Sequence, residues 1–120
     1  MWPILVDHYK DTSGNIKGHI DLRHHSDESR SHRVLLGMGV DVSCRKQGLG
    51  QRLIDAVINF CQEKAEIDWL DLCVLSENFP AKNLYLKAGF NVVGEFKDQY
   101  RIDGLSVSET AMTKYVKNYA

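Results

Sequence analysis

The alternation of apolar and polar residues divides the chain into six strand segments and two helical segments. Residues 4–9 form a strand-like run, a turn signal follows at 11–15, and residues 16–23 alternate as in a strand with one buried face. This pattern predicts an antiparallel hairpin. The segment 24–32 is polar throughout, so we expect it to be a solvated loop.

Two nearly continuous apolar runs, at 34–40 and 69–75, predict strands that are covered on both faces. Apolar residues spaced three and four apart between Leu49 and Lys64 predict a helix that connects them. A strand, a helix and a strand in this order form a βαβ unit with parallel strands. Gly37 and Gly39 interrupt the first run. Close packing or a bulge would explain them, but we favour a ligand that lies against exposed backbone.

The last third of the chain predicts a short helix and two further strands. Pro80 suits a first helical turn and Gly89 suits the position after the helix end. A strand begins at Asn91, and the last strand is predicted at 109–116 after an Asp-Gly turn. The expected order is β-β-β-α-β-α-β-β, an α/β fold with a mixed (α+β) sheet, in a single domain over residues 1–120.

Composition removes several classes of function. The 120 residues carry a formal charge of −1, which argues against nucleic acid as the main partner. No apolar run approaches the length of a membrane span, so we expect no membrane partner. Cys61 and Cys73 fit small core residues in a reducing compartment, which predicts a cytoplasmic protein. Three histidines in the segment 24–32 lack ligands at zinc spacing, so no metal site is predicted.

The segment between Val40 and Gln51 carries the chemistry. A predicted strand ends at Val40, a predicted helix begins near Gly48, and the loop between them contains Arg45 and Lys46. Glycines let the backbone approach a ligand, and the first helical turn offers unpaired N–H groups to an anion. Neither the NTPase P-loop pattern nor the dinucleotide glycine pattern is present. A phosphate site and a tight turn that binds nothing both remain open at this point.

Two motifs carry a resemblance to a family. Arg45-x-x-Gly48-x-Gly50 resembles the acetyl-CoA pyrophosphate loop of the GNAT superfamily of N-acetyltransferases, Q/R-x-x-G-x-G/A. Residues 78–90 are similar to the second family signature, N-x-x-A-x-x-L-Y-x-K-x-G-F, at every marked position. The second motif also lies one strand beyond the first, which is the family's order. The resemblance implies a GNAT fold and transfer of acetyl from acetyl-CoA to a primary amine by direct attack in a ternary complex.

The resemblance also implies roles for particular residues. The backbone of Val40 and Val42 would pair with the pantetheine arm. Asn78 would hydrogen-bond the cofactor where the parallel strands separate, and Tyr85 would protonate the departing thiolate. The amides that would hold the pyrophosphate belong to consecutive residues: Arg45, Lys46, Gln47, Gly48, Leu49, Gly50 and Gln51.

The general base is the least defined part of the predicted site. Some family members carry a Glu in the strand before the glycine loop, whereas residues 34–40 here contain no ionisable side chain. Glu77, assigned as catalytic together with Tyr85, and His32 are the substitutes that we consider, each acting directly or through water. An α-amine of pKa about 8 needs only about 1 kcal/mol to lose its proton at neutral pH, against roughly 4.6 kcal/mol for a lysine amine.

Two other functions stay open. The chain could be a non-catalytic acyl-CoA-binding or regulatory module, or an interaction domain whose glycine loop is structural. Family members usually begin with a strand and two helices that form one wall of the acceptor groove, and this sequence lacks that segment. We therefore expect an exposed apolar surface, formed in part by Trp2, Ile4, Leu5 and Val6, that a homodimer would cover. The expected acceptor is an amine on a small molecule or a peptide.

Overall fold

Six strands form one mixed sheet, and two helices lie against it. The computed structural model describes residues 4–40 and 48–117. The elements are β1 (Ile4–Lys10), β2 (Ile16–His24), a short 3-10 helix (Glu28–Arg30), β3 (Arg33–Val40), α1 (Leu49–Glu63), β4 (Trp69–Leu75), α2 (Phe79–Lys87), β5 (Asn91–Ile102) and β6 (Leu105–Tyr115). The sheet order is β1-β2-β3-β4-β6-β5. The predicted order of strands and helices is confirmed.

The hairpin β1–β2 is closed by a turn that the side chain of Asp11 organises. Its carboxylate accepts the N–H groups of Ser13 and Asn15 at 2.9 and 3.0 Å. Gly14 follows with a φ of 85°, a conformation that glycine adopts without strain. β2 then pairs with β3 in an unbroken antiparallel register from His24–Val34 to Gly18–Val40. The predicted polar loop before β3 contains the short 3-10 helix.

The core lies between the sheet and α1. The helix buries five residues of its predicted apolar stripe, and the sixth, Ile58, is partly buried against the same core; the five are Leu49, Leu53, Ile54, Val57 and Cys61. Each such side chain contributes roughly 1.5–3 kcal/mol by leaving water. Burial also raises the pKa of the Cys61 thiol to about 11, so the prediction of Cys61 as a core residue is confirmed. A Cβ at Gly18 would lie 2.9 Å from Leu49 Cδ2, so α1 rests closely on β2.

The opposite side of the sheet differs from the prediction. On β4, Leu70, Leu72 and Val74 are buried toward the helices, whereas Cys73 is exposed and Leu75 is 42% exposed. The predictions of full coverage for this strand and of Cys73 as a core residue are therefore wrong. The reason is that α1 and α2 touch each other and share one side of the sheet. We call the opposite side the open face.

In the part of the chain that the structure describes, no helix is both long enough and apolar enough to cross a membrane.

Candidate functional site

A gap between the two parallel strands is the main feature of the candidate site. β3 and β4 pair at three positions, and the last pair joins Leu35 to Asp71. Beyond it, residues 36–40 of β3 and 72–75 of β4 have no register with each other. β2 still pairs with β3 and β6 still pairs with β4 over these stretches. Two strand edges therefore face the gap with backbone groups that an extended ligand could use.

The N-terminus of α1 lies beyond the end of β3. Gly48 caps the helix with a φ of 77°, and a Cβ at this residue would meet no atom of the described residues within 4 Å. The first N–H that binds a helical carbonyl here is that of Arg52, which donates to Gly48 O at 3.0 Å. As is general at helix starts, the N–H groups of the first turn have no earlier carbonyl of the helix itself to bind. This terminus suits an anion.

Four of the predicted pyrophosphate ligands lie at this helix start, namely Gly48, Leu49, Gly50 and Gln51. Val40 is the last residue of β3, and its backbone pairs with Gly18 of β2. The predicted roles of Val42, Arg45, Lys46 and Gln47 fall outside the described residues.

Gly50 and Gln51 also have structural tasks in the helix. A Cβ at Gly50 would lie 3.0 Å from Leu84 Cδ2, so this glycine lets α2 approach α1. The side chain of Gln51 donates to Asp55 Oδ1 at 2.8 Å, one turn along the helix. The close packing of α2 on α1 therefore explains why a glycine stands at this position, whether or not a ligand binds there.

Asn78 is the N-cap of α2. Its side-chain oxygen accepts the N–H of Ala81 at 3.4 Å, and Pro80 occupies the first turn as predicted. The cap stands three residues after the end of β4, at the same end of the gap as α1. The amide NH₂ of Asn78 is not used by the cap, because the cap needs only an acceptor.

Tyr85 is buried on α2. Its ring packs edge-on against Phe90 with centroids 5.8 Å apart. Burial raises the pKa of the Tyr85 hydroxyl above its ordinary value, so the group stays protonated at neutral pH. Within residues 4–40 and 48–117 the hydroxyl has no hydrogen-bond partner. Tyr85 can therefore act as a proton donor without first breaking a hydrogen bond in the described fold.

The two candidate bases are both exposed. Glu77 precedes the cap of α2, and Tyr85 lies at least six helical residues further on, roughly 9 Å along the axis. His32 precedes β3 at the end opposite the glycine loop, and its carbonyl accepts the N–H groups of Asp68 and Trp69. Neither side chain is held by a hydrogen bond or an ion pair to the described residues.

The two glycines of β3 have side chains of β2 above them. A Cβ at Gly37 would lie 2.7 Å from Asp21 Oδ1, and a Cβ at Gly39 would lie 2.7 Å from His19 Cε1. The β2–β3 register is regular at both positions, so there is no bulge between these strands. The packing alternative therefore accounts for both glycines, and sequence alone did not indicate which side chains they admit.

Sequence reasoning also missed a depression beside Gly48. It measures about 220 Å³ and is lined by Tyr9, Gly48, Leu49 and Arg52. Arg52 Nε lies 4.0 Å from Asp7 Oδ2, and most of the Arg52 side chain is exposed. An arginine one turn into a helix has no distinctive sequence signal, because the same residue is common on any solvated helix face.

A second missed cluster ties β3, β4 and β6 together at the closed end of the gap. Arg33 forms a bidentate pair with Asp71 at 2.8 and 2.7 Å, and Thr113 donates to the same carboxylate at 2.6 Å. Burial acts to raise the pKa of Asp71, but the hydrogen bonds from Arg33 and Thr113 outweigh it and lower the pKa. The guanidinium also lies 4.8 Å from the centre of the Trp69 ring. This cluster fixes the point from which the strands separate.

Comparison with known proteins identifies sequence relatives. The sequence model of the Acetyltransferase (GNAT) family matches residues 3–90. The L-amino acid N-acetyltransferase AaaT of Escherichia coli (strain K12) is 30% identical over 84 residues, which are 70% of this chain and 52% of that protein. The chain therefore spans about half the length of this curated relative.

Solved structures share the fold. The acetyltransferase of the GNAT family from Streptococcus pneumoniae superposes with a TM-score of 0.82 at 24% identity, covering 88% of this chain and 63% of that one. The GNAT superfamily phosphinothricin acetyltransferase from Sinorhizobium meliloti, solved in complex with acetyl-CoA, gives 0.83 at 15% identity, covering 90% and 58%. At these identities the likeness establishes the fold, including the mixed sheet and its helices.

Proposed function

Because the chain belongs to the Acetyltransferase (GNAT) family, we propose that it is an N-acetyltransferase that transfers acetyl from acetyl-CoA to a primary amine. The observation that carries this proposal is the separation of β3 from β4 after Leu35, next to the N-terminus of α1 at Gly48. The gap is bounded by two strand edges, and the helix start favours an anion. This arrangement suits a long ligand with an extended polar arm and a pyrophosphate.

Acetyl-CoA fits the residues that border the gap. The backbone of Val40, together with that of Val42, would receive the pantetheine arm, and the amides from Arg45 to Gln51 would hold the pyrophosphate. The amide NH₂ of Asn78, which the cap does not use, can donate to the arm while the amide oxygen caps α2. Acetyl-CoA supplies the activated acetyl group as a thioester.

Tyr85 is the proposed acid. Its hydroxyl is protonated at neutral pH, since the ordinary pKa of tyrosine is about 10 and burial raises it further. In the proposed reaction it gives this proton to the departing thiolate, whose thiol has an ordinary pKa near 8.5. Glu77 remains the candidate base at the mouth of the site, where water could relay the proton from the amine.

The acceptor that we propose is an α-amine of an amino acid or a peptide. Such an amine needs roughly 1 kcal/mol to lose its proton at pH 7, so weakly held bases suffice. The curated relative with 30% identity is named an L-amino acid N-acetyltransferase, which supports the same acceptor class.

Turnover tests the proposal directly. The full chain would be incubated with acetyl-CoA and, separately, with each standard L-amino acid and with tetra-alanine, and N-acetyl products would be measured by mass spectrometry. Thiol reagents are unsuitable as the readout because Cys73 is an exposed free thiol. We expect at least one α-amine to be acetylated. Tight acetyl-CoA binding without any acetylated amine would instead indicate the alternative, a non-catalytic acyl-CoA-binding or regulatory module.

The expected assembly is a homodimer. Ile4 and Leu5 of the edge strand β1 are 39% and 54% exposed, which leaves apolar side chains beside unpaired backbone. Val6, in contrast, packs against the core, and Trp2 lies outside the described residues. Sedimentation at micromolar concentration should give a two-fold dimer, and a monomer of 13.7 kDa would contradict it.

We place the protein in the cytoplasm, where free thiols such as those of Cys61 and Cys73 are stable.

A further inference from the structure

Two ionisable side chains of β2 meet on the open face beside the gap. His19 pairs in register with Gly39, and Asp21 pairs with Gly37. The imidazole Nε2 of His19 lies 3.5 Å from Asp21 Oδ2. The two glycines of β3 leave room for these side chains, because a Cβ at either position would come within 2.7 Å of one of them. The pair therefore lies over β3.

The two members of the pair differ in exposure. The Asp21 side chain is 12% exposed, whereas that of His19 is 44% exposed. Asp21 Oδ1 is buried and accepts no hydrogen bond from the described residues, although Arg23 Nε lies 3.7 Å away. A buried carboxylate oxygen without a hydrogen bond is unusual in folded proteins and calls for an explanation. The imidazole, in contrast, can be reached by a substrate.

The pair lies beside the gap in which the proposed reaction would take place. Gly37 and Gly39 belong to the stretch of β3 that has left β4, so β3 itself is the edge of the gap. Ring atoms over Gly39 lie within about one strand spacing, roughly 4.8 Å, of that edge. Residues 34–40 offer no base of their own. β2 therefore brings an ionisable group to a place where β3 has none.

We propose that His19, in place of Glu77, is the base that accepts a proton from the acceptor amine, and that Asp21 is a positioning residue that orients its imidazole. This inference rests on the proposed acetyltransferase function. Imidazole exchanges a proton near neutral pH and is a common general base. Described ionisable groups on the same face include Lys17 and Arg23 of β2, the Arg33–Asp71 pair of β3 and β4, and His8, which is opposite His19 in the β1–β2 register.

The proposed step balances as follows. Neutral His19 takes one proton from the ammonium form of the acceptor, which leaves a free amine. The amine nitrogen then bonds to the acetyl carbonyl carbon while the carbon–sulfur bond breaks. The thiolate takes the proton of Tyr85, and the phenolate recovers one from the new amide nitrogen through water. His19 finally releases its proton to solvent, so one proton is released per acetyl group transferred.

Three variants of the full chain test the base. Turnover of an α-amine that the wild type acetylates would be measured at pH 7 for H19Q, for H19A with added imidazole, and for the control H8Q. We expect kcat to fall about 100-fold in H19Q with the KM for acetyl-CoA within about twofold of wild type. Added imidazole should restore part of the activity of H19A. H8Q should stay within about twofold of wild type, because His8 lies on the far side of His19 from β3.

A spectroscopic readout tests Asp21 without turnover. Nitrogen chemical shifts of the His19 ring report which nitrogen carries the hydrogen. In the wild type we expect the hydrogen on Nε2, facing Asp21, and in D21N we expect a mixture of both tautomers. D21N should also lower kcat about tenfold. The spectra would be recorded with and without acetyl-CoA, and we expect the same His19 tautomer in both.

The outcomes separate the two proposals. An active chain in which H19Q keeps its kcat would overturn the base while leaving the acetyltransferase function intact. A His19 tautomer that is the same in D21N as in wild type would overturn the positioning role of Asp21. A wild type that acetylates none of the amines would overturn both the proposed function and the base.

Discussion

Two glycines at the start of α1 offer a test that separates ligand binding from packing. Gly48 has a φ of 77° and open space around its missing Cβ, whereas the missing Cβ of Gly50 points at Leu84 Cδ2, 3.0 Å away. Alanine at Gly48 would adopt a left-handed conformation at a cost of roughly 1–2 kcal/mol. Part of this cost is offset, because alanine also restricts the unfolded chain by about 0.4–1 kcal/mol. We therefore expect Gly48→Ala to lower the free energy of unfolding by about 1 kcal/mol.

Gly50→Ala should behave differently. Alanine is more favourable than glycine inside a helix by up to about 1 kcal/mol. The Leu84 methyl must move by a few tenths of an ångström to make room for the alanine side chain. We expect these terms to offset each other to within about 0.5 kcal/mol. The added methyl points toward Leu84 of α2. Acetyl-CoA affinity should therefore stay within about threefold, whereas Gly48→Ala, whose methyl enters the open space, should weaken it at least tenfold.

Urea and thermal unfolding would measure the stability of each variant, and isothermal titration would measure its affinity for acetyl-CoA. A loss of about 1 kcal/mol should appear as a melting temperature lowered by about 4 °C in a domain of this size. The reasoning is refuted if Gly50→Ala loses as much affinity as Gly48→Ala, since the packing explanation for Gly50 would then be insufficient. It is also refuted if Gly48→Ala unfolds at the wild-type urea concentration.

Three further predictions follow from single side chains. Tyr85→Phe should lower kcat at least 100-fold with unchanged acetyl-CoA affinity and stability, because the ring keeps its contact and the lost hydroxyl has no hydrogen-bond partner in the described chain. Its raised pKa places any alkaline loss of wild-type turnover through this group above pH 10. Asn78→Asp should keep the cap of α2 and Asn78→Ala should cost about 0.5–1 kcal/mol, while both weaken acetyl-CoA binding in titration calorimetry. Asp71→Asn should make the free energy of unfolding depend less on pH in the acid range. The pKa of Asp71 in the folded state is lowered, so its stabilisation is present above the unfolded-state pKa of about 3.9 and is lost as pH falls through the folded-state pKa.

Each of these predictions has an opposite result that would count against it. Undiminished turnover in Tyr85→Phe would remove the acid role. Full acetyl-CoA affinity in Asn78→Asp would show that the amide NH₂ donates nothing to the ligand. Urea midpoints at pH 6 and pH 3 that change equally in wild type and Asp71→Asn would show that the carboxylate is not stabilised by Arg33.

The helices and the first four strands were predictable because their signals are local. The stripe from Leu49 to Cys61 repeats at helical spacing, and Pro80 and Gly89 bracket α2 as predicted, with Gly89 at a φ of 97°. Burial of these side chains follows from the same periodicity. The two motifs also predicted that the start of α1 and the cap of α2 belong to one cofactor site, although the strand order of the sheet was not known.

Pairings distant in sequence and the coverage of the sheet were not predictable in this way. β6 inserts between β4 and β5, and β5 continues to Ile102 past an irregularity between Phe96 and Tyr100. The polar residues 97–101 give no strand signal, and Asp98 has a φ of 53° there. An apolar run also cannot show which of its faces a helix will cover, which is why Cys73 was misplaced.

The polar side of β2 was the largest omission at the site. His19 and Asp21 occupy the polar positions of an alternating strand, a pattern typical of residues that face solvent. Their packing over β3 depends on glycines 20 and 16 residues further along the chain, Gly39 opposite His19 and Gly37 opposite Asp21, which only the strand register brings beneath them. No local rule connects these positions.

The central claim is that acetyl-CoA binds in the gap between β3 and β4, and backbone amide NMR tests it most directly. Titration of the ¹⁵N-labelled chain with acetyl-CoA should shift the amides of residues 36–40, 48–51, 72–75 and Asn78, which border the gap. The tip of the β5–β6 hairpin at residues 100–106 serves as the internal control and should not move. Shifts confined to the hairpin tip, or no shifts at millimolar acetyl-CoA, would contradict the account.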